Sequence, residues 1–254
     1  LHRTCREHGV RAVRAIHTVS YYDYDNSYLA AITPLNPDWV AGVCCLDPDQ
    51  IGSPAELRRL LADRQVRSLR SIPSRQRGSF ADPSVYRLWD ICADAGATVD
   101  LFLMDPDLIP GAEALLRRYP AVPVALDHCM DLKPGPRYGE VLAQVLCLSA
   151  YPNLLAKVDF ISTGTAVGYP GDDLADAAMQ IIGAYGAERC VWGSNFPNAL
   201  WTPKMSYAEH LRLFTECLPL PPAARRLILG ETARRLWFPW LDPADCALEV
   251  PARE

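Results

Sequence analysis

Short runs of β-branched and apolar residues recur along this chain with helical patterns between them, and that alternation restricts the fold more than any other feature. Strands are expected near Val10 to Val19, Trp39 to Leu46, Val66 to Ile72, Ala97 to Leu103, Val122 to His128, Asn153 to Asp159 and Arg189 to Asn195. Between them, Pro54 to Asp63, Pro83 to Ala95, Leu108 to Tyr119, Tyr138 to Ala150 and Asp173 to Tyr185 carry apolar residues at helical spacing. Ser53-Pro54 and Asp82-Pro83 read as caps with proline at the first helical position. Two further helices follow the last strand, Tyr207 to Cys217 and Pro222 to Leu236.

Strands separated by helices are parallel strands with crossovers, which leaves an open doubly wound sheet or a closed barrel. The open sheet usually carries a glycine-rich phosphate turn after an early strand, and the chain has none. A closed barrel needs eight strands. Leu1 to Gly9 reads as the end of a helix and the chain opens on Leu, so the expected missing element is the first strand. The expected fold class is therefore α/β, a TIM (β/α)8 barrel lacking its first strand in this chain. No linker rich in Gly, Ser or Pro divides it, so residues 1–254 are expected to form one N-terminally incomplete domain, with 239–254 as a C-terminal tail.

Composition narrows the partners. Half the residues are hydrophobic and 22% are charged, enough apolar material for a large core. The net charge of -5 is spread out and the arginines sit beside leucines, leaving no basic stripe for nucleic acid. No apolar run reaches the ~20 residues that a membrane span requires, and Leu1 to Val10 has no signal-peptide core, so a cytoplasmic location is expected. Nine cysteines lack metal-ligand spacing, Cys44 and Cys45 being adjacent; they are expected as buried free thiols. Trp201, Trp237, Phe238 and Trp240 suit either closing core or an apolar interface patch, and the patch would make a homodimer.

In a barrel of this kind reactive groups sit at the C-terminal ends of strands. The polar residues there are Tyr21, Tyr22 and Asp23, then Asp47, Arg70, His128, Lys157 with Asp159, and Ser194, Asn195 and Asn198. An imidazole at a strand tip, as at His128, can ligate metal, act as electrophile or general acid, or simply cap a loop carbonyl. Arg70 offers a planar fork for a carboxylate, or one half of a surface ion pair. Lys157 and Asp159 alternate with apolar residues and so share a face, where they either serve a site or neutralise each other.

The segment Cys190-Val-Trp-Gly-Ser-Asn-Phe-Pro197 is the most specific in the chain. It resembles the end of the eighth strand in the amidohydrolase superfamily, which usually reads Gly-Ser-Asp followed by an aromatic residue and proline. Asp23 to Tyr28 is similar to that family's loop after the second strand, Leu126-Asp-His128 to its sixth strand end, Asn153 to Lys157 to its seventh, and Gly230 to Leu236 to its closing helix. The resemblance covers about Val10 to Phe238 in the right order. Within the superfamily it points to the amidohydrolase-related (amidohydrolase 2) branch, which includes 2-pyrone-4,6-dicarboxylate lactonases and non-oxidative decarboxylases of aromatic acids.

This resemblance implies a hydrolase or decarboxylase acting on a small carboxylated ring or lactone. It implies that His128 binds metal or polarises the scissile carbonyl, and that Tyr22, Arg70 and Asn198 fall where such lactonases contact a carboxylated ring; Lys157 and Ser194 are candidate substrate contacts from their strand-tip positions, and Asn195 with Asn198 would orient the substrate. Two departures matter. The family's His-x-His pair after the first strand is missing: His2 and His8 lie in the expected helix and His17 within a strand, so the cofactor is either a divalent metal such as zinc or none. The family's aspartate is replaced by Asn195, whose neutral amide cannot take a proton from water. Either Asp159 or Asp23 serves as base, or the reaction is not hydrolysis, or the barrel is a silent small-molecule binder or assembly subunit.

Overall fold

The structure, a computed structural model, describes residues 1–62, 66–197 and 204–246. All the expected strands are present but shorter: β1 (Val13–Ile16), β2 (Val40–Cys45), β3 (Val66–Ser71), β4 (Thr98–Leu101), β5 (Val124–Leu126), β6 (Leu154–Lys157) and β7 (Cys190–Val191). The chain divides into two compact units, one comprising Ala12–Met130 with Ala150–Leu154, the other Leu1–Arg11, Asp131–Ser149 and Leu155–Glu254.

In the first unit, β1 to β5 pair in chain order, each parallel to the next: Val13 lies opposite Val40, Val43 opposite Ser68, Ser68 opposite Thr98 and Val99 opposite Val124. A doubly wound sheet reverses its order at a switch point, whereas consecutive strands without reversal are the repeat of the (β/α)8 barrel. The β2 run Val40–Cys45 is buried at every position, because a parallel strand is covered on both faces. β3 and β4 are less apolar, and their polar residues face inward: Arg14 bonds both carboxylate oxygens of Asp100 at 2.8 Å and also Ser68 Oγ, which meets Thr98 Oγ1. The helix Pro83–Ala95 begins as expected, with the Asp82 carboxylate accepting from Ser84 N at 2.8 Å and Pro83 in the first turn.

In the second unit β6 runs parallel to β7, Ala156 opposite Cys190 and Lys157 opposite Val191. The helices Tyr138–Leu148 and Asp172–Tyr185 meet through the Tyr185 hydroxyl, which donates to Val145 O at 3.0 Å. Trp192 N donates to Ile228 O at 3.0 Å, tying the end of β7 to the C-terminal helices. Each of those helices contains a stretch of π-helix, Leu213–Cys217 and Leu227–Glu231, inside the ranges expected as regular helix. Trp237 and Phe238 are buried core; Trp240 is partly exposed against Phe238 at 5.6 Å, and Trp201 lies outside the described residues.

Three expectations are corrected. Ser53 is the first helical residue rather than a cap, because its hydroxyl is committed to Asp47 O. The segment Val10 to Val19 is strand only from Val13 to Ile16; Val19–Tyr22 and Ser27–Ile32 are short helices, so His17 stands past the strand end rather than within it. Cys147 and Cys217 are exposed, while Cys5, Cys44, Cys45, Cys92, Cys129 and Cys190 are buried free thiols. Among the described residues no helix is long and apolar enough to cross a membrane.

Candidate active site

The first unit carries Tyr22, Arg70 and His128. Past the end of β1 the buried His17 places its Nε2 2.7 Å from Asp23 O, and its ring lies 6.0 Å from that of Tyr22. Tyr22 in turn stacks on Tyr28 at 5.8 Å, and both rings are exposed. Asn26 is buried between this loop and β2, its amide donating to Cys45 O at 2.9 Å and its carbonyl accepting from Cys45 N at 3.1 Å. One side chain thus satisfies both backbone groups of a strand residue and ties the loop to β2.

Arg70, in β3, is not a surface ion pair. Its Nε lies 2.9 Å from Asp127 Oδ2, the Asp127 carboxylate is fully buried, and the guanidinium stands 5.2 Å from the Phe102 ring. Burial alone would favour loss of the Arg70 charge, but Asp127 and Asp100 outweigh it and raise its pKa. Asp127 ends the apolar run of β5 and directly precedes His128, so one short turn holds the imidazole and anchors the guanidinium.

That turn is left-handed. His128, Cys129, Met130 and Asp131 have φ of 53°, 43°, 62° and 53°. Left-handed backbone costs a non-glycine residue about 1–2 kcal/mol, so a run of such residues must be imposed by its surroundings. His128 is half-buried within it.

The second unit carries Lys157, Ser194 and Asn195. Lys157 is the last residue of β6 and is buried, as is Asp159 two residues on. Gly193, which leaves β7, passes so close to Asp159 that a Cβ there would stand 2.9 Å from Asp159 Oδ2, so any larger residue would displace that carboxylate. Asn195 follows at φ 48° and donates from Nδ2 to Asp159 O at 3.4 Å. Ser194 Oγ accepts from Phe196 N at 3.3 Å. Asn198 lies outside the described residues.

Several polar residues here were not singled out as site residues from the sequence. Asp127 was visible only as the end of an apolar run, and Asn26 gives no periodic signal because it lies in a loop. His210, in the helix Tyr207–Arg212, is fully buried with neither ring nitrogen hydrogen-bonded, 5.6 Å from the Trp192 ring and 5.9 Å from Phe214. Burial pushes its pKa down to about 4, against the opposing pull of Asp159.

A zinc site takes three or four protein donors within reach of one point. Among the described residues no such group of His, Cys, Asp and Glu exists, and at Asn195 the residue is an amide, a weak ligand. The described donors do not fit a metal centre.

A family model for amidohydrolases matches residues 3–238. An L-fucono-1,5-lactonase from Burkholderia ambifaria is 26% identical over 221 residues, 82% of this chain and 74% of that protein. The Pseudomonas putida protein assigned as a 2-pyrone-4,6-dicarboxylic acid hydrolase superposes with a TM-score of 0.73 at 25% identity, over 95% of this chain and 88% of that one. An amidohydrolase from Burkholderia multivorans with bound zinc has the same fold, with a TM-score of 0.74 at 19% identity over 93% and 86% of the two chains.

Proposed function

Since the chain belongs to the amidohydrolase family, we propose that it opens a small lactone ring that carries a carboxylate or several hydroxyls. The observation that carries this reading is the placement of strained backbone. Among the described residues, every non-glycine residue with positive φ (Asp23, His128 to Asp131 and Asn195) lies in a segment leaving the C-terminal end of β1, β5 or β7. Those are the barrel ends that carry chemistry, and strain of this kind persists where it holds a functional group. The likeness to a fuconolactonase and to a pyrone dicarboxylic acid hydrolase supports a lactone as substrate.

In this reading His128 polarises the lactone carbonyl and Arg70, braced by Asp127, receives the carboxylate. Tyr22 offers a ring face, while Lys157, Ser194, Asn195 and Asn198 orient the substrate. Asn195 cannot be the general base, a substitution that on its own costs on the order of 100- to 10,000-fold. Asp159, held against the Gly193 backbone, takes that role: its carboxylate accepts a proton from water, the hydroxide adds to the carbonyl carbon, and the ring C–O bond breaks as Asp159 returns that proton to the departing ring oxygen, leaving a hydroxy acid.

The test is base consumption at constant pH with L-fucono-1,5-lactone and 2-pyrone-4,6-dicarboxylate as probes. Turnover that falls at least 100-fold in both His128→Ala and Asp159→Asn is expected. Asn195 itself favours a second reading, a barrel that binds the lactone without opening it. Saturable binding of either probe, no turnover in the native chain and turnover in Asn195→Asp would establish that second reading and overturn the first.

A further inference from the structure

The turn that leaves β7 is gripped at both ends by one side chain. Tyr207, on the helix Tyr207–Arg212, meets the Trp192 ring edge-on at 5.8 Å and 87°, and the Phe196 ring edge-on at 5.9 Å and 75°. Those two aromatics bracket Gly193, Ser194 and Asn195. On its remaining side the Tyr207 ring lies 5.1 Å from His8, which follows the helix His2–Glu7. Its hydroxyl is hydrogen-bonded to the Cys5 thiol and to the Ser194 side chain.

We propose that Tyr207 is a positioning residue, a clamp that holds Trp192 and Phe196 at a fixed separation and so keeps Ser194 and Asn195 in place at the strand tip. The physical need is plain. Asn195 sits at φ 48°, a left-handed conformation that asparagine tolerates but does not prefer, and its only described side-chain bond, to Asp159 O, is long at 3.4 Å. Edge-to-face ring contacts are directional, so two of them on one ring set both the spacing and the tilt of the turn. The helix that carries Tyr207 is itself pinned by a capping box, Ser206 Oγ accepting from Glu209 N and Glu209 Oε2 accepting from Ser206 N. Burial, with Cys5 next to it, pushes the hydroxyl pKa up, so the phenol stays protonated and keeps its donor.

The clamp is tested by hydrogen–deuterium exchange on the peptide covering 190–197, which needs no substrate. Tyr207→Leu is expected to speed exchange there several-fold while the strands β2 and β3 exchange as before. Phe196→Leu, which alters the exposed jaw and puts little of the core at risk, is expected to do the same, and Tyr207→Phe, which keeps the ring, to retain most of the protection. Unchanged exchange at 190–197 in both leucine variants would overturn the proposal. So would an equal rise across the whole chain in both, which marks loss of stability rather than release of one turn. The activity arm rests on the lactonase reading: with L-fucono-1,5-lactone, Tyr207→Leu is expected to lower kcat roughly 10- to 100-fold and Tyr207→Phe far less. If the native chain does not turn the lactone over, that reading fails and the exchange result still decides the clamp.

Discussion

Left-handed backbone sets His128 and Asn195 apart from the residues of the ordinary core. Residue by residue, the sequence is a good guide to position and a poor one to partnership. His128 and Asn195 were recognisable because each ends an apolar run, and both stand in strained backbone. Arg70 was recognisable as a strand residue, but its partner Asp127 was not, since nothing in linear order joins positions 57 residues apart. His210 carries a prediction. Its folded pKa of about 4 lies below the unfolded value of 6.5, so between those limits the unfolded chain binds the extra proton. Stability therefore falls as pH drops from 6.5 towards 4, by about 3 kcal/mol for a shift of this size. His210→Leu removes two unpaired buried nitrogens as well; urea titrations should show it to be more stable than the native chain at pH 5, with a shallower fall in stability over that interval.

Among the elements, the cap at Asp82-Pro83 was legible because its chemistry is local: a side-chain oxygen, a fixed φ and a free amide two residues on. The short helices after β1 and the π-helical stretches were not, because they exist to fit what surrounds them. The polar rung that joins β1, β3 and β4 belongs here too. Arg14 was one arginine among many in the sequence, yet it neutralises the fully buried Asp100 and holds Ser68. Breaking a buried pair leaves an uncompensated charge, so Arg14→Leu is expected to cost about 3–5 kcal/mol in denaturant unfolding. The double variant Arg14→Leu/Asp100→Leu should recover most of it. If the single and double variants lose equal stability, the charge left on Asp100 is not the cause.

At the scale of the whole molecule, solvent access to thiols gives a readout of the native state. Burial raises the Cys44 thiol well above its usual value and pushes Cys45, Cys92 and Cys190 up to about 12, so thiolate is scarce there. Labelling of the native chain with an aromatic disulfide reagent should modify Cys147 and Cys217 rapidly, with the six buried thiols reacting only on unfolding, as peptide mapping would record. Fast modification of Cys44 or Cys92 in native protein would contradict the packing. The alternation of strand and helix was written in the order of residues, because periodicity and end signals are local properties, and the family was legible in motifs such as Gly193-Ser194-Asn195. Tertiary structure alone decided that Arg70 faces Asp127, that Asn26 closes the backbone of Cys45 and that one tyrosine grips both ends of the Asn195 turn. Those contacts depend on distances across the fold, and a linear sequence carries residue order but not the separations that folding creates.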